Sequence, residues 1–229
     1  MSELNRKYQI LKDYVMGKTN WQRSALHQIN LSDAVLRGID LTASTLLEIS
    51  MKSCNLEFAD LSSTIIKKCN LSNARLKGTN FSGANLTRVN LSYAYLELAC
   101  LKDTNFTDVD FSNAYLAGAD LRGACLKGAK FNNTFVAGAI YDERTVFNSE
   151  HSSLITEMIY CPSSEQNQSK NLELNLEKFQ ELEKALNFSY RGVKYQPSAM
   201  DTANKIQQQH VPSPRNCHQI KKYRGVVCA

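Results

Sequence analysis

Residues 81–126 read, in blocks of five, FSGAN LTRVN LSYAY LELAC LKDTN FTDVD FSNAY LAGAD LRGAC L. Every block opens on Leu or Phe. The same register runs backward through Leu61, Leu41 and Leu31 to Trp21, and forward through Phe131 and Val136 to Tyr141. All 25 positions of that series are apolar, in a chain that is 43% hydrophobic. Chance would give such a run about once in 10⁹ sequences. A repeat of this kind decides the fold before any other reading.

Two residues before each large apolar position stands a small one: Ala34, Ala59, Ala74, Ala84, Ala94, Ala99, Ala114, Ala119, Ala124, Ala129 and Ala139, with Ser, Thr, Cys, Val or Ile in the other blocks. None of these sites is charged or aromatic. Residues two apart on an extended chain face the same side, so the large and the small site share an interior. A period of five is neither helix nor plain strand; it is a short extended step followed by a tight turn. Gly38, Gly78, Gly83, Gly118, Gly123, Gly128 and Gly138 all fall two residues after the large site. Glycine at that slot predicts a turn residue with positive φ. Asn or Asp often precedes the large site, as at Asn30, Asp60, Asn70, Asn90 and Asp110, where a short polar side chain bonds nearby turn backbone.

The Ala-Asn/Asp-Leu core of Ala59-Asp60-Leu61, Ala84-Asn85-Leu86 and Ala119-Asp120-Leu121 resembles the pentapeptide-repeat family, over about residues 19–147. The resemblance implies an all-β repeat fold, a right-handed quadrilateral β-helix with four pentapeptides per coil and about six coils. At an inter-strand spacing of ~4.8 Å such a rod is roughly 30 Å long. Open coil ends need covers. A capping helix is expected within residues 1–18, with Leu4, Tyr8, Leu11 and Val15 on its inner face, Ser2 as N-cap and Gly17 at its end. Tyr141-Asp142-Glu143-Arg144-Thr145-Val146-Phe147 resembles the exit sequence of cyanobacterial family members, and residues 151–160 are expected over the other end.

Beyond the rod, 148–171 reads as exit segment and linker. Residues 172–186 read as an amphipathic helix, with Leu172, Leu176, Phe179, Leu182 and Leu186 at helical spacing. Residues 187–229 read as a basic tail. That tail carries Tyr190-Arg191-Gly192-Val193-Lys194-Tyr195 and Tyr223-Arg224-Gly225-Val226, which resemble a small cyanobacterial family of unassigned function. The net charge of +5 is divided as +2 over 1–18, +2 over 19–141, −5 over 142–186 and +6 over 187–229. Acidic connector and basic tail are physically different segments.

If a coil is twenty residues, positions twenty apart stack. One outward column is then Arg37, Glu57, Lys77, Glu97, read as a charge ladder of small energetic weight. Another is Arg75, Tyr95, Tyr115, Phe135, with Tyr93 beside it and Arg75 over the first ring. A third adds Phe58 and Leu98 among glycines. This apolar, aromatic side is the candidate protein-binding stripe. The tail motif residues Tyr190, Arg191, Gly192, Tyr195, Tyr223, Arg224 and Gly225 are the second candidate. Lys67, Lys68, Arg88 and Lys127 form a basic cluster interrupted by Glu48 and Asp108 and read as solvated surface.

Seven cysteines without C-x-x-C spacing predict free thiols rather than a disulfide framework or zinc knuckle. Cys54 and Cys69 are placed in the interior, and Cys100 and Cys125 outward. His27, His151, His210 and His218 are the four histidines. No phosphate loop, nucleophile elbow or metal-ligand spacing accompanies them. The expectation is therefore a non-enzyme without catalytic, cofactor or metal residues, acting as a protein–protein interaction scaffold through the rod's outer faces. Its partner is an unidentified protein, with a homodimer left open. One alternative is tail-mediated binding to an anionic partner, nucleic acid or membrane surface. A further alternative comes from the resemblance, since some family members mimic DNA and bind type II topoisomerases; that role needs an acidic surface, and this rod is +2. No apolar run is long enough to span a bilayer, and the N-terminus lacks a signal-peptide pattern, which predicts a cytoplasmic protein.

Overall fold

The computed structural model describes residues 3–163, 189–190 and 193–194. The chain divides into two compact units, Met1–Ser163 with Cys228–Ala229, and Ser164–Val227. In the first, helix α1 (Glu3–Val15) leads into strands β1 (Ala25–His27), β2 (Thr45–Leu47), β3 (Ile65–Lys67) and β4 (Asn85–Thr87). These pair in parallel in the order β1-β2-β3-β4, each residue opposite the one twenty places on. On another face Asn20, Asp40, Asp60, Asn80, Cys100, Asp120 and Ile140 bridge in sequence. Twenty residues therefore make one coil, and the column spans six coils of a right-handed quadrilateral β-helix.

The interior follows from the five-residue pattern. Leu56, Leu61, Leu71, Leu76, Phe81, Leu86 and their counterparts have no exposed surface, and the alanines between them none or 1%. Each such buried Leu or Phe contributes about 1.5–3 kcal/mol against the unfolded chain. Polar residues at the small sites are satisfied from within. The hydroxyls of Thr79, Thr104 and Thr134 donate at 2.8 Å to the carbonyls of Leu56, Phe81 and Phe111, one coil below.

Every slot two residues after a large site, from Arg23 to Gly138, has φ between 52° and 70°. Seven of these are the glycines that pointed to the turn; seventeen are other residues. The Asn/Asp reading also holds: Asn30, Asp60 and Asn90 Oδ1 each accept, at 2.9 Å, the backbone N–H two residues on.

Helix α1 covers the first coil, with Leu11 of the expected inner face but not Tyr8 or Val15. Tyr8 and Val15 are 65% and 81% exposed, while Ile10 is 1% exposed and Leu11 and Tyr14 pack on the core. The Tyr14 hydroxyl donates to the Arg37 carbonyl at 2.8 Å. Gly17, at φ 83°, ends the helix as expected, with Lys18 N–H bonded to the Asp13 carbonyl. Ser2 and the Leu4 side chain lie outside the described residues.

At the other end the register shifts: Cys125 bridges Val146, and β5 (Ile140–Tyr141) pairs in parallel with β6 (Ile159–Tyr160). A 3₁₀ turn (Ser149–His151) and the short helix α2 (Ser152–Ile155) lie between them, and His151, Met158 and Ile159 are buried over the last coil. In the second unit, β7 (Ser189–Tyr190) and β8 (Val193–Lys194) pair antiparallel. The expected helix at 172–186 and the linker beyond Ser163 lie outside the described residues. No helix among the described residues is long and apolar enough to cross a membrane.

Candidate protein-binding face

Backbone bridges join Val35, Asn55, Arg75, Tyr95, Tyr115 and Phe135 into one outward column. The parallel ladder spaces these side chains one coil apart, a distance suited to ring stacking. Tyr95 and Tyr115 do stack, with centroids 5.4 Å apart and planes 7° from parallel. Phe135, 38% exposed, follows them in the column but not in the ring stack. Tyr93 and Leu98 flank the stack, 49% and 58% exposed, both at φ 58°.

Two members of the expected stripe have other duties. Arg75 does not lie over Tyr95: its Nε and Nη2 donate to Glu57 Oε1 at 2.9 and 2.7 Å. Phe58 is half-buried, beneath the Arg37 guanidinium at 4.9 Å from the ring centroid and against Gly78. Sequence reading also overlooked Val35, 61% exposed, although the same twenty-residue spacing leads back to it through Asn55.

The charge ladder forms only in its lower half. Glu57 is held between Arg37 (3.8 Å) and Arg75 (2.7 Å). Lys77 and Glu97 form no ion pair among the described residues. Burial pushes the Glu97 carboxyl above its ordinary range, against the opposing pull of Lys77. On a different face Glu48 accepts from Gln28 and pairs with Lys68 at 3.2 Å, which offsets part of the basic cluster.

The cysteines divide. Cys54, Cys69 and Cys125 are free thiols. Burial raises Cys54 to about 12 and Cys69 to about 11, which makes both poor nucleophiles at neutral pH. The expectation of free thiols throughout fails at Cys100, which takes part in a disulfide. Cys100 is 6% exposed and stands in the outward bridge column where other coils place Asn or Asp. Among the described residues no group of His, Cys, Asp and Glu is arranged to hold a metal ion.

Of the tail motif, Tyr190 and Val193 are paired in β7 and β8. Arg191, Gly192, Tyr195, Tyr223, Arg224 and Gly225 lie outside the described residues.

Solved structures similar to this chain include the three that follow. The pentapeptide repeat protein Rfr23 of Cyanothece 51142 is 22% identical, covering 62% of this chain and 99% of its own, with a TM-score of 0.38. HetL of Nostoc sp. strain PCC 7120, involved in heterocyst differentiation regulation, is 25% identical, covering 59% and 68%, with a TM-score of 0.36. QnrB1, a plasmid-mediated fluoroquinolone resistance protein, is 20% identical, covering 67% and 86%, with a TM-score of 0.31. No curated protein matches the chain. The family model for pentapeptide repeats matches residues 29–67, 54–92, 69–108 and 94–133. Residues 29–133 are therefore repeats of the pentapeptide-repeat family.

Proposed function

We propose that the chain is a non-catalytic protein–protein interaction scaffold whose binding face is the side of the rod carrying Tyr93, Tyr95, Leu98, Tyr115 and Phe135. One observation carries this reading. Tyr93 and Leu98 are large, apolar and exposed, and both occupy left-handed turn slots that the adjacent coils give to Asn73 and Asn113, and to Gly78 and Gly118. Each costs about 1–2 kcal/mol in backbone strain relative to glycine, and the surface that each leaves exposed recovers none of it. A partner that buries them does. Rigid repeat rods suit such use, because side chains on successive coils are held at fixed spacing.

The test uses the full-length chain, immobilised and exposed to native cell extract, beside Tyr93→Ser/Leu98→Ser. The expected result is a retained protein that high salt does not release and that the variant fails to hold. Retention that the variant leaves unchanged, and that salt removes, would favour the second reading. In that reading the +6 segment 187–229 binds an anionic partner, nucleic acid or membrane surface, with Tyr190, Tyr195 and Tyr223 available to stack. Mimicry of DNA toward a type II topoisomerase is the weakest reading, since residues 19–141 carry +2 rather than a phosphate-like negative surface.

A further inference from the structure

Beside the aromatic column, two neighbouring columns alternate with a period of two coils. Arg37-Gly38 is followed by Glu57-Phe58, then Lys77-Gly78, then Glu97-Leu98. The large residue of each pair lies on the glycine of the next coil: a Cβ at Gly78 would fall 2.9 Å from Phe58 Cδ1, and one at Gly118 would fall 2.9 Å from Leu98 Cδ2. The acidic residue of the lower pair is gripped by two guanidinium groups, those of Arg37 and Arg75. The upper pair is not matched in this way. Tyr95 stands at the position corresponding to Asn55, Tyr115 at that of Arg75, and Ala117 where the alternation calls for a cation.

Glu97 is left as the top of a charge column with no ion-pair partner among the described residues. It is partly buried, and burial disfavours its charge. Next to it Leu98 is 58% exposed, and Ala117, one coil on from Glu97, carries only a methyl group. An acidic group beside exposed apolar surface, with the next rung missing, is complementary to one kind of occupant.

We propose that Glu97, Leu98 and Ala117 form a docking point for a partner polypeptide that presents an arginine next to an apolar side chain. The guanidinium takes the place above Glu97 that Arg75 takes above Glu57, and the apolar neighbour covers Leu98. Arginine suits the site better than lysine because its planar fork binds a carboxylate while lying flat on apolar surface. This inference rests on the scaffold reading and names the chemistry of its partner.

The full-length protein is titrated with the peptide acetyl-Trp-Leu-Arg-Leu-Trp-amide and with its counterpart carrying neutral citrulline for arginine, followed by amide chemical shifts. The expected preference for arginine is about fivefold, the effect of roughly 1 kcal/mol from one partly desolvated ion pair. Shifts should centre on Glu97, Leu98 and Ala117. The preference should disappear in Glu97→Gln, and also in Ala117→Arg, where the missing rung is supplied from within the chain. Unchanged amide spectra elsewhere establish that both variants fold. Equal binding of the two peptides with shifts at Tyr93 and Leu98 would overturn the docking point and leave the scaffold reading standing. Binding of neither peptide, or an arginine preference that survives Glu97→Gln, would also overturn the docking point.

Discussion

At the scale of the residue, the left-handed turn slot governs what the outer surface can carry. Gly38 and Gly78 occupy the same slot two coils apart, at φ 67° and 64°. A methyl group at Gly38 meets nothing within 4 Å, whereas one at Gly78 collides with the Phe58 ring at 2.9 Å. Gly38→Ala should therefore cost only the left-handed penalty, about 1 kcal/mol. Gly78→Ala should cost about 1–2 kcal/mol more, since the ring must move off its seat. In a Phe58→Ala background that excess should vanish, and a double-mutant cycle in urea measures it. A second expectation concerns Glu97. Burial raises its carboxyl in the folded state, so the charged form is penalised at neutral pH and the penalty is lost as pH falls through the folded value. Glu97→Gln should stabilise the protein by roughly 0.5 kcal/mol at pH 7. Its advantage should shrink as pH falls toward the ordinary carboxylate range and be gone below about pH 4, as urea midpoints across pH would show.

At the scale of the element, the two ends differ in how far they could be read ahead. The exit Tyr141–Phe147 was recognisable, and its chemistry is now explicit. Asp142 is fully buried and accepts from the Gly123 amide at 2.8 Å, from the Arg144 guanidinium at 2.8 and 3.0 Å, and from the Thr145 hydroxyl at 3.0 Å. Its side chain takes the Gly123 N–H that a backbone carbonyl takes in earlier coils, which lets the chain leave the repeat. Burial raises the Asp142 carboxyl, but those bonds outweigh burial and hold it below its ordinary value. With a depressed folded pKa, the stabilisation is present above about pH 4 and lost as pH falls further. Asp142→Asn should cost about 1–2 kcal/mol at pH 7 and approach wild type in acid, measured by thermal unfolding. The inner face of α1 was less legible. Its apolar residues fit two stripes, one through Tyr8 and Val15, the other through Ile10, Leu11 and Tyr14. Only contact with the first coil selects between them, through the Tyr14 bond to Arg37 and the burial of Ile10. The candidate face shows the same division. Which side chains share a column follows from chain position, so Tyr95 above Arg75 was readable. Which way a long side chain leans depends on its neighbours, and Glu57 drew Arg75 away from the ring.

At the scale of the whole molecule, stability is distributed along one dimension, because each coil touches only the coils beside it. The ends are the places where that chain of contacts is incomplete, and the covers determine whether opening starts there. α1 seals the first coil chiefly through Ile10, 1% exposed, with Leu11 and Tyr14 packed against the core. Ile10→Asp places a carboxylate in that seal, and its desolvation should detach the helix. The effect should then decay with distance. Amides of the first coil, such as Arg23 and Gln28, which bond to Thr42 and Leu47 carbonyls one coil on, should lose most of their hydrogen-exchange protection. Amides of the central coils, such as Leu96 and Leu101, should keep theirs. A cavity in the middle, Phe106→Ala, should behave differently, costing about 3–5 kcal/mol and lowering protection on both sides of the site. If Ile10→Asp instead lowered protection equally from the first coil to Ala139, the rod would be a single cooperative unit, and its binding face would respond to events at the helix. A graded loss would mean that the face around Tyr93, Leu98 and Tyr115 is insulated from the N-terminal end, as a rigid platform for a partner requires.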